Sequence, residues 1–191
     1  GFLKKQYPNV TSARVNLTDS FEAFKMAVNI QGDEHNLALS LANTRSRLRM
    51  LTLYYYAGIR GMLVAGTGNK VEDFGVGFFT KYGDGGVDVS PIADLMKSEV
   101  YALAEELDIP RSIQQAVPSD GLFDDDRSDE DQIGASYDEL EWAMRFVASG
   151  EDMAGLSKRQ VEVLTLYQSL NRKNQHKMNS IPLCKIPKIW K

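Results

Sequence analysis

The segment Thr67-Gly68-Asn69-Lys70 is the first candidate for a ligand-binding site, because it follows a predicted buried strand. The residues before it, from Gly61 to Gly66, form a short apolar run between glycines, which is the pattern of a strand buried on both faces of a parallel sheet. Ligands of open α/β sheets bind at the carboxyl ends of the strands. The glycine-rich stretch from Gly75 to Asp88 is too irregular for a long helix or strand, so we expect an ordered loop there.

A long helix is predicted to carry basic side chains on two differently directed faces. Residues from about Asn36 to Tyr56 contain no Gly or Pro, and about 3.6 residues per turn sort their side chains into stripes. The stripe expected to face the core holds Leu41, Leu48, Leu51 and Tyr55. A neighbouring stripe holds Asn43, Arg47, Met50 and Tyr54. Arg45 and Arg49 form an i, i+4 pair that points elsewhere.

The remaining pattern alternates helices with short strands. A helix end and a turn at Pro8 precede a predicted strand around Ala13 to Leu17. Ser90-Pro91 is typical of a helix start, and the helix is expected to continue toward Pro110. Two further helices are predicted, one through Tyr137 to Ala148 and one after Ser157. This alternation predicts an α/β fold, a doubly wound, mostly parallel sheet flanked by helices.

Composition narrows the class of protein. The chain has 191 residues, of which 43% are hydrophobic, enough for one domain with a substantial core. A net charge of -4 gives no general attraction to nucleic acid or anionic membranes, so an anionic substrate must be held by local cations. The single cysteine, Cys184, and the two histidines exclude a disulfide framework and multi-cysteine metal motifs. No apolar stretch approaches the roughly 20 residues that a membrane span requires, and no signal peptide is visible, so we expect a cytoplasmic protein.

Most of the chain resembles the NAD synthetase family. The likeness is carried by GTGNKVEDFGVGFFTKYGDGGVDVSPIADLMKSEV from Gly66 to Val100, by PSDGLFDDDRSDEDQIGASYDEL, by NTRSRLRM on the long helix, and by the His-Lys pair near the C-terminus. The resemblance implies a flavodoxin-like, adenine-nucleotide alpha-hydrolase-like fold and a homodimer. It also implies ATP-dependent amidation of deamido-NAD to NAD through an adenylated intermediate, with magnesium, with ammonia as the nitrogen donor, and with release of AMP and pyrophosphate.

Four positions match family residues that bind ATP or its metal. Thr67, Lys97 and Ser119 match positions that contact ATP, and Glu72 matches the magnesium ligand. Each of the four residues also has a simpler interpretation that involves no ligand. Thr67 could cap the next helix, Lys97 could be a solvated lysine, Ser119 could belong to turn chemistry, and Glu72 outside its motif would be a surface residue.

Five positions match family residues that bind deamido-NAD: Arg47, Lys81, Asp88, His176 and Lys177. The substrate is anionic at its pyrophosphate and at its nicotinate carboxylate, so Arg47, Lys81 and Lys177 would supply the cations that a net-negative protein otherwise lacks. Without the resemblance, His176 and Lys177 would be read as a solvated tail. Phe78, Phe79 and Tyr82 could pack near the nicotinate ring or anchor the loop to the core.

Two observations leave alternatives open. The family's SGGxDS phosphate loop is absent from these residues, so we expect a single catalytic domain over residues 1–191 with weakened pyrophosphate binding and half of the metal site. Another adenylating ATP pyrophosphatase, either GMP synthetase-like or tRNA-modifying, and a non-catalytic nucleotide-binding fragment remain alternatives. The acidic run from Asp124 to Asp131 is expected to be a mobile, solvated surface loop rather than a metal site, with gating over substrates as a second hypothesis. Free ammonia is favoured over a glutaminase partner, and Cys184 is a poor glutaminase nucleophile.

Overall fold

The computed structural model describes residues 1–30, 34–123, 125 and 127–187, which form eight α-helices, one π-helix and an isolated parallel β-bridge. The helices are α1 Phe2–Gln6, α2 Thr18–Ala27, α3 Glu34–Arg60, the π-helix Lys70–Val76, α4 Lys97–Glu106, α5 Arg111–Gln114, α6 Asp129–Ile133, α7 Tyr137–Ser149 and α8 Lys158–Met178. Within this part of the chain, no helix has the length and apolar character needed to cross a bilayer.

The core lies where α7 and α8 pack on the π-helix. Its buried members are Val71, Val76, Ile133, Ala135, Tyr137, Leu140, Ala143, Val163, Leu164 and Tyr167. Burying these apolar side chains is the main favourable contribution to folding. Because Val71 and Val76 belong to this core, the π-helix between them is held against two long helices, and the rest of the site can be built on it.

Serine caps begin the helices around this core. Ser136 caps α7 and Ser157 caps α8, and each serine also donates its own backbone N–H to a side-chain oxygen three residues later, on Glu139 and Gln160, respectively. Such capping boxes satisfy backbone N–H groups that have no partner inside the helix. The predicted helices through Tyr137 and after Ser157 are therefore confirmed.

The helix predicted to start at Ser90-Pro91 begins later. Residues 91–94 form turns, and α4 starts at Lys97 after the N-cap Met96. The backbone N–H of Met96 donates to Glu99 Oε2 at 2.7 Å, which supplies the cap that Ser90 was expected to give. The prediction was wrong because a capping pair that begins six residues after Ser90, Met96 with Glu99, competes for the helix start.

In place of the predicted strands, the described residues form one isolated parallel β-bridge. Ala65 bridges Val89 in parallel, supported by hydrogen bonds from Gly66 N to Val89 O at 2.7 Å and from Asp88 N to Val64 O at 2.9 Å. Only Val64 is buried, whereas Met62 and Leu63 are 62% and 71% exposed. The prediction of a strand buried on both faces was therefore wrong. The strand predicted around residues 13–17 was also wrong, since these residues are irregular in the structure.

Helix α3 forms as predicted but buries a different face. Ala42, Ser46 and Ala57 are buried, whereas the expected core residues Leu51 and Tyr55 are 61% and 63% exposed. Small side chains allow a neighbouring loop to approach closely: a Cβ on Gly83 would lie only 2.2 Å from Ser46 Oγ. The size of the side chains, rather than their hydrophobicity, decides which face of α3 is buried.

Candidate functional site

The π-helix starts at a buried asparagine. Asn69 is 2% exposed, and its Oδ1 accepts hydrogen bonds from Val71 N at 3.0 Å and Glu72 N at 3.1 Å. Asn is a favoured N-cap because its short side chain reaches these N–H groups. Thr67 is exposed and does not cap this helix. The cap therefore fixes the direction in which Glu72 leaves the backbone, and it leaves the Thr67 hydroxyl at the surface.

Glu72 lies in a mostly buried polar cluster. Its Oε1 accepts from Lys97 Nζ at 2.9 Å and from Tyr137 Oη at 2.6 Å. Lys97 Nζ also lies 4.6 Å from the centroid of the Tyr137 ring, a distance typical of a cation–π contact. The Glu72 and Lys97 side chains are only 16% and 17% exposed, so their ion pair is only weakly screened.

A second carboxylate, Asp129, adjoins this cluster. Tyr137 Oη lies 3.3 Å from Asp129 Oδ2, and Asp129 Oδ1 is buried without a hydrogen-bond partner. Burial, followed by the charges of Glu72 and Asp120, raises the pKa of Asp129. A buried carboxylate oxygen without a partner costs free energy. This corner of the protein therefore has more negative charge than Lys97 alone neutralises.

Residues 77–88, here called the glycine loop, are fastened to α3 by polar contacts. Thr80 Oγ1 donates to Asn43 Oδ1 at 2.7 Å, and Ser46 Oγ donates to Asp84 Oδ1 at 2.7 Å. Arg47 Nε donates to the carbonyl of Lys81 at 3.3 Å. At the end of the loop, Asp88 accepts from Tyr54 Oη at 3.0 Å and from Val64 N at 2.8 Å. The polar stripe predicted on α3 is thus the face that holds this loop.

Helix α8 holds the beginning of the glycine loop through three side chains spaced three residues apart. Asn171 Nδ2 donates to Gly75 O and Asn174 Nδ2 to Val76 O, both at 2.8 Å. Lys177 Nζ donates to Gly77 O at 2.7 Å and to Phe79 O at 2.8 Å. The Gly75 and Val76 carbonyls belong to the last residues of the π-helix, and those of Gly77 and Phe79 follow its end, so the helix leaves them without internal partners. The stripe on α8 supplies the missing donors.

Gly77 is required for this approach. Its φ of 66° lies in the left-handed region, and a Cβ there would lie 2.5 Å from Asn174 Cβ. Glycine alone avoids both the strain and the clash. A larger residue at this position would push α8 away from the glycine loop.

Burial has shifted the pKa values of two titratable groups around the loop, Lys177 and Asp73. Burial lowers the pKa of Lys177, with the charge of Asp84 acting in the opposite direction. Burial, together with the charges of Glu72 and Asp84, raises the pKa of Asp73 to about 6. Because Asp73 interacts with both Glu72 and Asp84, the Glu72 cluster and the glycine loop form one electrostatically connected site. Groups with such perturbed pKa values concentrate in functional sites.

The described residues also enclose a separate cavity of about 530 Å³ between α2 and α3. It is lined by Val15, Asn16, Leu17, Thr18, Phe21, Glu22, Arg45, Leu48 and Arg49. None of these residues belongs to the glycine loop or to the Glu72 cluster. The position of the polar and charged groups, rather than the volume of this cavity, therefore locates the candidate site.

Comparison with known proteins places this site in a family. The family model described as NAD synthase matches residues 6–181. The chain belongs to the NAD synthase family. Among curated relatives, the NH(3)-dependent NAD(+) synthetase of Methanococcoides burtonii is 41% identical over 138 residues, which are 72% of this chain and 51% of the relative. The protein of the same name from Syntrophomonas wolfei is 38% identical over 171 residues, 90% of this chain and 62% of the relative. The chain thus spans about half to three-fifths of the length of these family members.

Two solved structures share the family fold. The NMN synthetase of Francisella tularensis aligns with a TM-score of 0.76 at 28% identity, over 97% of this chain and 69% of that protein. The NH3-dependent NAD synthetase of Campylobacter jejuni, solved with a nitrate ion, aligns with a TM-score of 0.68 at 23% identity, over 90% of this chain and 64% of that one. The likeness to the Campylobacter protein concerns the fold alone.

Four of the five residues that match the family's deamido-NAD positions meet around the start of the glycine loop. Arg47 binds the Lys81 carbonyl, Lys81 Nζ donates to the carbonyl of His176, and Lys177 binds two loop carbonyls. Asp88 lies at the other end of the loop beside Tyr54. Lys177 is partly buried on α8 and donates to two loop carbonyls, so the alternative of a solvated tail does not hold for it, whereas His176 is exposed in the last turn of this helix.

The residues that match the family's ATP and magnesium positions do not all meet at one place. Lys97 and Glu72 form an ion pair, whereas Thr67 and Ser119 are exposed. Ser119 Oγ donates to Arg127 O at 3.2 Å and accepts from Gly121 N at 3.3 Å, so it does form the turn contacts of the simpler alternative. Arg45 and Arg49, which form the second basic face predicted on α3, bind the segment that follows Ser119. Arg45 donates to Leu122 O at 2.6 Å and Arg49 to Gly121 O at 3.0 Å.

Asn69 lay in the candidate segment Thr67–Lys70 and Asp129 in the acidic run, but the sequence did not predict the contacts of either residue, and it missed Tyr137. A polar N-cap ahead of the acidic pair Glu72-Asp73 was a usable signal for Asn69. Asp129 was assigned to the acidic loop, of which Asp124 and Asp126 lie outside the described residues. Tyr137 reads as the first residue of an amphipathic helix, and nothing in the local sequence indicates its contact with Glu72.

Among the aromatic residues of the loop, Phe78 packs on the core. The Lys177 ammonium lies over the ring of Phe79, 5.3 Å from the ring centroid. Tyr82 is 52% exposed and has a φ of 62°. The anchoring role therefore holds for Phe78. Tyr82 is the aromatic ring of the loop that is accessible to a ligand.

Proposed function

We propose that this chain catalyses the ATP-dependent amidation of deamido-NAD to NAD, with ammonia as the nitrogen donor and release of AMP and pyrophosphate. The observation that carries the proposal is the match of the NAD synthase family over residues 6–181. The geometry supports it, because three cations meet at a glycine loop that is electrostatically coupled to the Glu72 cluster.

In this proposal the glycine loop holds deamido-NAD. Arg47, Lys81 and Lys177 neutralise the pyrophosphate and the nicotinate carboxylate, while Asp88 and His176 complete the contacts. Backbone carbonyls now accept the hydrogen bonds of these cations. Because phosphate and carboxylate oxygens are stronger acceptors than neutral carbonyls, an anionic substrate can replace these contacts. Tyr82 is positioned to pack on the nicotinate ring.

The other half of the site is proposed to bind ATP through Thr67, Lys97 and Ser119, with Glu72 as a ligand of magnesium. The residues present fit this metal: Glu72 offers carboxylate oxygens, and Asp129 beside it leaves a buried oxygen without a partner. Within the described residues, no three Asp, Glu, His or Cys side chains converge on one point. Magnesium characteristically binds through one or two carboxylates plus waters and substrate phosphates. When bound, it would neutralise charge on the phosphates of ATP.

The chemistry follows from the substrate. A carboxylate is a poor electrophile without a leaving group, so its oxygen first attacks the α-phosphate of ATP and displaces pyrophosphate. Ammonia then attacks the acyl carbon, AMP leaves, and the nitrogen loses a proton. Side chains of the chain act by holding the two substrates in line and by neutralising charge. Lys97 supplies a cation on the ATP side, and Lys81 and Lys177 supply cations on the acid side.

We propose further that residues 1–191 belong to a single catalytic domain. The mostly parallel, doubly wound sheet, the homodimer and the cytoplasmic location expected from the resemblance also remain proposals. The parallel bridge between Ala65 and Val89 supports the sheet.

The test is product formation by the full chain with magnesium, ATP and ammonium. Deamido-NAD, nicotinate mononucleotide and xanthosine monophosphate are supplied separately, and products are identified by mass spectrometry. We expect NAD from deamido-NAD. The mononucleotide is the second candidate, because a protein named NMN synthetase shares this fold with a TM-score of 0.76. Binding of deamido-NAD without product would favour the non-catalytic alternative, and GMP formation would contradict the proposal.

A further inference from the structure

The Tyr137 hydroxyl contacts both carboxylates of the buried polar cluster. Its Oη lies 2.6 Å from Glu72 Oε1 and 3.3 Å from Asp129 Oδ2. A tyrosine hydroxyl has one proton to donate, and the shorter distance assigns it to Glu72. Tyr137 is only 7% exposed, so water does not compete strongly for this bond.

Tyr137 is fixed by contacts that are independent of Glu72. Its ring belongs to the core formed by α7, α8 and the π-helix, and its backbone N–H donates to Glu130 Oε1 at 2.8 Å. The preceding residue, Asp129, donates its backbone N–H to Pro118 O at 3.0 Å. The Tyr137 side chain thus contacts Glu72, the Lys97 ammonium and Asp129, and the backbone of Asp129 contacts the residue next to Ser119.

We propose that Tyr137 is a positioning residue: its hydroxyl orients the Glu72 carboxylate for a divalent cation. The inference rests on the proposed role of Glu72. A Glu side chain has three rotatable bonds, and a hydrogen bond from a partner fixed in the core removes much of that freedom. Residues that orient a metal ligand in this way typically change metal affinity about 10- to 100-fold when they are removed.

The test removes the hydroxyl and keeps the ring. Mn²⁺ is titrated into the full chain in the presence of ATP, and free Mn²⁺ is measured by electron paramagnetic resonance. Tyr137→Phe should bind Mn²⁺ about 10- to 100-fold more weakly than the wild type. Tyr167→Phe is the matched control, because Tyr167 is buried in the same core at 9% exposure, and its affinity should not change.

A double-mutant cycle separates positioning from general damage. If Tyr137 acts through Glu72, the Tyr137→Phe change should have no further effect in a Glu72→Gln background. An equal effect in both backgrounds, or a Tyr137→Phe affinity within twofold of the wild type, would overturn the inference while leaving the role of Glu72 intact. If Glu72→Gln binds Mn²⁺ as the wild type does, or if the wild type binds none, the proposed metal role itself fails and the inference fails with it.

A measurement on the folded wild type covers the case in which Tyr137→Phe does not fold. The full chain is labelled with 3-fluorotyrosine and titrated with Mg²⁺. One fluorine resonance should move, and that movement should be absent in Glu72→Gln. A spectrum that Mg²⁺ leaves unchanged would contradict the positioning role.

Discussion

Replacing Lys177 by Met should destabilise the protein and loosen the glycine loop. Its ammonium donates to Gly77 O at 2.7 Å and to Phe79 O at 2.8 Å. Hydrogen bonds from a charged donor contribute about 1.5–3 kcal/mol each. The two bonds share one donor group and are not additive, and deleting the ammonium removes its burial cost. We therefore expect unfolding free energy to fall by about 2–3 kcal/mol, with the apolar stem retained by Met.

The assay is urea unfolding followed by circular dichroism, with the slope compared between variants. Lys173→Met is the matched control, because Lys173 lies one turn earlier on the same helix and is exposed. The control should change stability by less than about 0.5 kcal/mol, as expected for surface substitutions. Equal losses in the two variants, or no loss in Lys177→Met, would refute the view that this lysine holds the loop.

Three further predictions follow from backbone strain, a buried charge and an ion pair. Gly77→Ala should cost more stability than Gly150→Ala in thermal unfolding, because both have a positive φ but only Gly77 has atoms in the path of the new Cβ. Asp129→Asn should raise the urea midpoint of the ligand-free protein as the pH rises above 3.8, the ordinary pKa of Asp, because burial raises the pKa of Asp129 and its charged form therefore destabilises the fold. Arg159 lowers the pKa of Glu139 to about 2, and because solvent screens this exposed pair, its contribution to stability is small. That contribution is present above the ordinary pKa of 4.5 and is lost as the pH falls toward 2, so the stability difference between wild type and Arg159→Ala should shrink over this range in acid titrations.

The elements that the sequence predicts well are those determined by local rules. The start of α8 after Ser157 is confirmed because a capping box needs only neighbouring residues. The stripe of Asn43, Arg47 and Tyr54 on α3 is confirmed because helical periodicity fixes which side chains share a face. Residues that the resemblance had assigned to one substrate then meet at the glycine loop.

The missed features depend on contacts between distant parts of the chain. Tyr137 and Glu72 are 65 residues apart, and no local pattern indicates that they touch. The buried face of α3 was misjudged because Ser46 is buried to admit a loop from residues 80–84. An extended segment becomes a strand only when neighbours hydrogen-bond to it, which explains why the run before Gly66 shows a single bridge.

The most direct test of the central claim is calorimetric titration of the full chain with deamido-NAD and, separately, with NAD. We predict that deamido-NAD binds more tightly than NAD, because the loop cations recognise the additional carboxylate. Lys81→Ala should weaken deamido-NAD binding by about 1.5–3 kcal/mol, or about 10- to 150-fold. Lys158→Ala, at a side chain that is 93% exposed on α8, should leave the affinity unchanged. Equal binding of the two dinucleotides together with an unchanged Lys81→Ala affinity would contradict the account.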